Sequence, residues 1–421
     1  MRKGSDLGLL RQYVPTDVRY YVKGGGYLLT NQAASTVLGA VNAYVLGNWV
    51  SPSVYGAYSY VTSVLGMMVL FTLPGINSSI VRSVAHGYEG SLVLGTKRRL
   101  RSSCLGAAAL LALGSLLALQ GRQEQGYGLA ASAILFPFAY STNGYLAYLQ
   151  GKKRFVHYTI CNLCVSAAIT TATVVVALVV QQFLPILLAN LFVTAAANTL
   201  CLLVVSRRIE NREVDEGFVK FGTRLSILSV LGSVSSYADR VIIGTVTDME
   251  SLASYNLSRV LTDLIRSLGV VLNALSFPKM VTIERERLAR ILGRRLILLS
   301  VGLVGVAALS TWLLPAVIAL LFPMYVQAIP FVRFMTVSAS LTVLAIVLET
   351  FFLSQEELHW VFYAQRVAFP AAELLLMLLL IERFQIYGVI FSRLGVRLLD
   401  VILLSLTLVW VAHPRALPGG D

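Results

Sequence analysis

Residues 156–180 read VHYTICNLCVSAAITTATVVVALVV and contain no Asp, Glu, Lys or Arg, closing on the unbroken apolar run Val174 to Val180. A helix rises about 1.5 Å per residue and the hydrocarbon core of a bilayer is about 30 Å thick, so about 20 such residues make one crossing. Barrel strands would instead alternate apolar and polar positions over segments of about ten residues. This stretch is therefore read as a membrane-spanning helix.

Eleven further stretches fit the same reading. The twelve fall at about 24–47, 55–81, 102–120, 128–149, 156–180, 183–206, 222–247, 252–278, 296–320, 331–353, 360–380 and 386–411. The whole chain agrees: of 421 residues 57% are hydrophobic and only 13% charged, with a mean hydropathy of +0.74. Soluble domains carry roughly 25% charged residues. The expected fold class is all-α, a polytopic membrane protein of about 12 helices in two six-helix halves, residues 1–206 and 207–421, around a central cavity.

The net charge of +13 would suggest nucleic acid in a soluble chain, but position along this chain gives it another meaning. In the loops and at the span ends that adjoin them, 25 basic residues fall on the side of the N-terminus, including Lys97, Arg98, Arg99 and Arg101, Lys152 to Arg154, and Arg285 to Arg295. Two, Arg122 and Arg383, fall on the other. By the positive-inside rule both termini are cytoplasmic. The loop Ser354 to His359, with Glu356 and Glu357 and no cation, departs from the pattern without reversing the bias. No cleavable signal peptide is read ahead of the first span, whose approach is basic and carries Pro15. The four cysteines, Cys104, Cys161, Cys164 and Cys201, sit in apolar spans and suggest neither a disulfide framework nor a zinc site. The four histidines lack metal-ligand spacing, so no metal is expected and no cofactor is called for.

An internal repeat joins the halves. An offset of 197 residues sets Gly47 on Gly244, Tyr58 on Tyr255, Asn42 on Asp239 and Arg82 on Lys279, and an offset of 196 sets Arg98-Arg99-Leu100 on Arg294-Arg295-Leu296. Six spans is an even number, so both halves insert alike, as parallel repeats about an axis along the membrane normal.

Two segments carry a family resemblance. The first is Val54-Tyr55-Gly56-Ala57-Tyr58 followed by Leu73-Pro74-Gly75-Ile76-Asn77-Ser78-Ser79-Ile80-Val81-Arg82. The second is Asp239-Arg240-Val241-Ile242-Ile243-Gly244 through Ala253-Ser254-Tyr255-Asn256, with Phe277-Pro278 closing span eight. In order and spacing they resemble the polysaccharide-exporter and flippase branch of the multidrug/oligosaccharidyl-lipid/polysaccharide exporter superfamily. The resemblance implies flipping of a lipid-pyrophosphate-linked oligosaccharide from the cytoplasmic to the outer leaflet of the inner membrane. Its partners would be that lipid-linked oligosaccharide, membrane lipids and other polysaccharide-assembly proteins, with no nucleic acid. Asp239 resembles the family's usual acid in span seven. Lipid II flippases of the superfamily usually carry two more helices than this length accommodates.

Charges inside the spans are the candidate site, because a charge facing lipid costs from about 2.5 to over 10 kcal/mol. In span eight Arg259, Asp263 and Arg266 follow at steps of four and three residues, one face of a helix turning about 100° per residue, which Asn256 and Asn273 extend. Guanidinium groups bind phosphate bidentately and stay charged in poorly solvated cavities. Arg259, Arg266, Asn256, Asn273, Asp263 and Asp239 are thus the expected substrate-binding residues. The same charges also read as internal ion pairs that pin helices together, as do Arg397 and Asp400 in span twelve. Arg333, Arg366 and Arg393, toward span ends, read as snorkelling to the interface. Glu349 and Glu373, in apolar helices, are candidates for coupling to an ion. Pro74 and Gly75 interrupt span two and Pro137 span four, where a missing helix hydrogen bond permits a hinge.

An enzyme of glycan assembly would need a sizeable outer loop, and the longest here is about ten residues by the span limits above. No Gly-rich phosphate loop ending in Lys-Ser/Thr is present, which excludes ATP hydrolysis by that device. The nearer rival is a cation-coupled multidrug antiporter of the same superfamily. The topology is open to cysteine labelling in intact cells. Cysteines introduced near 48–52, 182 and 325 should react with an impermeant reagent, and cysteines replacing Lys153 or Arg290 should not.

Overall fold

The computed structural model describes residues 16–281, 285–354 and 359–412. Arg2, Lys3, Arg11, Arg415, Glu356 and Glu357 lie outside them, as do the side chains of Lys279 and of the basic residues 285–295. The described residues are almost entirely helical and contain no strand. In chain order the helices are α1 (Thr16–Trp49), α2 (Pro52–Met68), α3 (Gly75–Ala85), α4 (Ser91–Leu119), α5 (Gln123–Ser141), α6 (Gly144–Gly151) and α7 (Phe155–Val179). They continue as α8 (Phe183–Ser206), α9 (Phe218–Val246), α10 (Met249–Val281), α11 (Arg285–Leu321), α12 (Ile329–Ser354), α13 (His359–Phe384) and α14 (Ile386–Ala412).

Among the described residues eight helical segments are long and apolar enough to cross a membrane, and the chain is a multi-pass membrane protein. The other expected spans coincide with α1, α5 with α6, α10, and α13. Of these, span four is cut in two, between α5 and α6.

Spans two and four are both broken, and one side chain serves both breaks. In span two a 3-10 turn, Val69–Thr72, ends on Leu73 in the left-handed region at φ 52°, and α3 begins after Pro74. In span four α5 runs through Pro137 and stops at Ser141, so the expected interruption at Pro137 moves to Thr142 and Asn143. Proline removes one helix hydrogen bond, which a bend absorbs. The break itself comes where the carbonyls find another donor. That donor is Arg99 of α4, 1% exposed. It donates to Thr72 O at 3.1 Å, Asn77 Oδ1 at 2.8 Å, Asn143 Oδ1 at 2.7 Å and Tyr140 O at 2.7 Å. No carboxylate takes part. Two helix ends aim their partial negative charge at one guanidinium, whose rigid fork can serve several acceptors at once.

Helices α9 and α10 pack on α2 and α3 as well as on α12 and α13. At one end of the bundle Phe322 fills the space beside Gly47, where a Cβ would stand 2.9 Å from the ring. Tyr44 meets Phe322 edge-on at 5.8 Å, and Tyr55 meets Tyr325 at 6.3 Å. Gly56 approaches so closely that a Cβ would fall 1.8 Å from Met249 O. Toward the other end Gly75 sits against α9, where a Cβ would stand 2.4 Å from Ser226 N, and its own amide is held by Ser226 Oγ at 2.9 Å. Ser79 Oγ donates to Phe218 O at 2.7 Å beside it. The break at Pro74 and Gly75 is therefore wedged against α9.

The segment joining α8 to α9 is strapped to this same end. Glu89, buried in the α3–α4 turn, pairs with Lys152 and accepts from Tyr148 Oη at 2.8 Å and Glu210 N at 3.1 Å. Burial alone would raise its carboxyl, but these donors outweigh it and hold the group below the usual carboxylate range. Gly90 N adds a bond to Glu213 O at 3.0 Å.

Arg99→Met should destabilise the purified protein by about 3 kcal/mol or more, since four acceptors lose a charged donor worth about 1.5–3 kcal/mol each at most. Arg99→Lys should recover only part of that, because one ammonium cannot span the four positions. Thermal unfolding in detergent measures both.

Candidate functional site

The charges of the second part of the chain gather in a knot of four helices. Its centre is Asp239, fully buried two turns from the end of α9. One carboxylate oxygen, Oδ2, accepts from Tyr255 Oη at 2.7 Å, lies 3.0 Å from Arg393 Nη1 and pairs with Arg259 Nη1. Tyr255 and Arg259, four residues apart on α10, reach it from one helix face. Arg393 comes from α14 and also donates its Nε to Glu373 Oε1 of α13 at 2.9 Å. Arg240 stands 3.7 Å from the other Asp239 oxygen. The carbonyl of Ser236, one turn earlier on α9, takes Arg259 Nη2 at 3.1 Å and Arg240 Nη2 at 3.2 Å. Arg259 and Arg393 thus each hold two acceptors, which a point-like ammonium could not do in one plane, whereas Arg240 holds the Ser236 carbonyl and stands off from the carboxylate.

The polar face of α10 does not stay together. Asn256 Nδ2 donates to Tyr55 Oη of α2 at 2.9 Å. Arg259 turns into the knot. Asn273 accepts from Thr350 Oγ1 of α12 at 3.1 Å. Asp263 and Arg266 alone face open space, in a groove between α1 and α10 of about 340 Å³. Gln32 and Thr36 of α1 line it with Asp263, Arg266 and Ser267 of α10. The two charged side chains are 45% and 47% exposed, with Arg266 Nη1 at 3.2 Å from Asp263 Oδ1. The other Asp263 oxygen stands 3.9 Å from Arg259 Nε. One carboxylate therefore bridges the groove and the knot. Of the expected substrate-binding residues, the geometry puts two in the groove, two in the knot and two in contacts with neighbouring helices.

Arg393, read from sequence as a snorkelling side chain, turns inward instead. Two acids, Asp239 and Glu373, offer it more than the interface can. Glu373, expected as a coupling group, is its partner. Glu349 of α12 is half-buried, with Asp400 and Arg397 of α14 among its charged neighbours. Arg397 Nη1 pairs with Asp400 Oδ2 at 3.2 Å within α14 itself, so this pair, expected to pin helices together, joins no two of them. Tyr255 was marked by the repeat and by the family resemblance, but not as a site residue. It lies on Asp239 as Tyr58 lies against Asn42, the positions the 197-residue offset equates. Among the described residues no cluster of His, Cys, Asp and Glu could hold a metal ion.

Residues 21–284 match the family described as polysaccharide biosynthesis protein. A comparison with curated proteins finds no match. Among solved structures, the inward-facing conformation of a multidrug resistance MATE family transporter of the MOP superfamily is similar at a TM-score of 0.68 and 13% identity, covering 90% of this chain and 96% of that one. The lipid II flippase MurJ in an inward closed conformation is similar at 0.69 and 11%, covering 91% and 90%. A MOP superfamily transporter from Pyrococcus furiosus, described as having a binding pocket of reverse polarity, gives 0.55 and 13% over 94% and 96%. At these identities the likeness is one of fold.

Asp239→Asn should cost about 3–5 kcal/mol, the usual penalty for removing one member of a buried charge network and leaving its arginines uncompensated. Arg240→Gln, at the longer distance, should cost about 1 kcal/mol or less. Thermal unfolding of the purified variants should keep that order.

Proposed function

The chain belongs to the polysaccharide biosynthesis protein family, and we propose that it is a transporter, not an enzyme, flipping a lipid-pyrophosphate-linked oligosaccharide to the outer leaflet of the inner membrane. The observation that carries this reading is Arg266, a half-exposed guanidinium at mid-helix in a groove between two spans. Asp263 offers it one carboxylate oxygen at 3.2 Å, and a diphosphate would supply two forks of acceptors for the rest of the guanidinium.

In this reading residues 1–206 and 207–421 are the two halves. The end carrying Lys97, Arg98 and Arg101 faces the cytoplasm, and the interlocked end at Gly47, Phe322, Tyr55 and Tyr325 faces outside. The groove then receives the headgroup from the cytoplasmic side, while the lipid tail stays along the apolar flanks of α1 and α10. As phosphate takes Arg266, Asp263 is released toward Arg259, 3.9 Å away. Binding thereby changes the charge balance of the knot that joins α9, α10, α13 and α14. Glu349 and Glu373 are the groups through which an ion gradient would act on that balance. Asp239 serves as the knot's fixed anion, Asn256 as its tie to α2 and Asn273 as its tie to α12.

The rival is a cation-coupled multidrug antiporter, for which Asp263 would be the ligand-binding group. Glycan accumulation at the outer surface separates the two, with membrane abundance of each variant checked first. Arg266→Lys should lower flipping roughly tenfold or more through loss of a charge-assisted hydrogen bond of about 1.5–3 kcal/mol. The double variant Asp263→Leu with Arg266→Met removes the pair without leaving a lone charge, and should be abundant but inactive. Full transport by the double variant would sink the headgroup role.

A further inference from the structure

A second cavity lies in the seam between α3 and α9, remote in sequence from the groove residues. It measures about 280 Å³ and is lined by Arg82, Asp215, Gly217, Lys220, Phe221 and Arg224. Arg82 comes from the last turn of α3, and Lys220 and Arg224 from the first two turns of α9. None of the three makes an ion pair among the described residues, although Lys152 at the same end is matched to Glu89. The one acid in the lining is already engaged. Asp215 accepts from Gly217 N at 3.1 Å and from Ser83 Oγ at 3.5 Å, closing the turn that starts α9. Three cations around one cavity repel one another, and the positive end of α9 adds to their field. Such an arrangement calls for an anion.

We propose that this seam binds the phosphate of an anionic membrane lipid. Phe221 supplies the second half of the chemistry. Its ring carries the Arg82 guanidinium at 4.8 Å from the centroid, which fixes the direction of the fork and places an apolar wall beside the charged cradle. A headgroup phosphate next to the start of an acyl chain needs that pairing, whereas a free anion needs only the charges. Basic pockets between membrane helices at the cytoplasmic surface are suited to such headgroups. The lipid would bridge α3 and α9 beside the contacts of Gly75 and Ser79, so occupancy would strengthen that seam. The inference requires a membrane-spanning chain and does not depend on the transported substrate, so its test involves no transport.

The purified full chain is reconstituted in nanodiscs of phosphatidylcholine alone or with phosphatidylglycerol, and its thermal unfolding is followed. Anionic lipid should raise the midpoint of the wild type, because a ligand of the native state stabilises it by mass action. The triple variant Arg82→Gln, Lys220→Gln, Arg224→Gln should lose most of that rise. A control triple, Lys97→Gln, Arg98→Gln, Arg101→Gln, removes the same charge from exposed positions on α4 and should keep it. Retention of the full rise by the seam variant, or equal loss in both triples, would overturn the assignment. An equal rise in phosphatidylcholine discs on adding millimolar inorganic phosphate or diphosphate, lost in the seam triple, would assign the cradle to a soluble anion and also overturn it. If the seam triple fails to fold, Phe221→Ala and the single variant Lys220→Gln carry the same comparison: a lowered rise in both supports the lipid site, and an unchanged rise in both refutes it.

Discussion

A guanidinium ion cannot be left bare among apolar helices, and that requirement organises this protein. Hydrocarbon offers no water to solvate it, and its pKa is too high for it to shed its proton, so each buried arginine must be surrounded by acceptors. The chain meets the demand in two ways. Arg99 is satisfied without any opposite charge, by carbonyls that two broken helices leave free and by two asparagine side chains. Arg259 and Arg393 are satisfied by carboxylates, chiefly Asp239. The first solution fixes backbone, because its acceptors are helix ends. The second fixes helices relative to one another, because its members come from four of them.

The same contrast explains what could be read in advance. Span positions followed from apolar length alone: the run expected at 183–206 is α8 itself, and that at 222–247 is α9 within a few residues. Charges inside spans were legible as a set, since each had to find a partner. Which partner was not legible. Arg393 was misplaced because a position near a span end permits two outcomes, and only the arrival of α13 beside α14 decides between them. Arg99 looked like one of a cytoplasmic run of cations. Its neighbours Lys97, Arg98 and Arg101 are exposed, but a helix turns about 100° per residue, and that sends one member of the run inward.

The α10 stripe failed as a unit for a related reason. Periodicity reports a common face, whereas function depends on what stands opposite each turn. Over 33 residues α10 passes α2, α9, α1 and α12 in succession, so residues on one stripe meet a tyrosine, a carboxylate, open space and a threonine. Asp263 is the exception that joins two of these surroundings, because its two oxygens point to different arginines.

The wedge of Gly75 against α9 has a kinematic consequence. A close backbone-to-backbone approach resists sliding, so a rotation that takes that line as its axle disturbs the contact least. Displacement grows with distance from an axle. The α1–α10 edge, where the groove lies, then sits on a longer lever arm than the seam, and a rotation of a few degrees that scarcely disturbs the hydrogen bond from Gly75 to Ser226 would alter the width of the groove by much more.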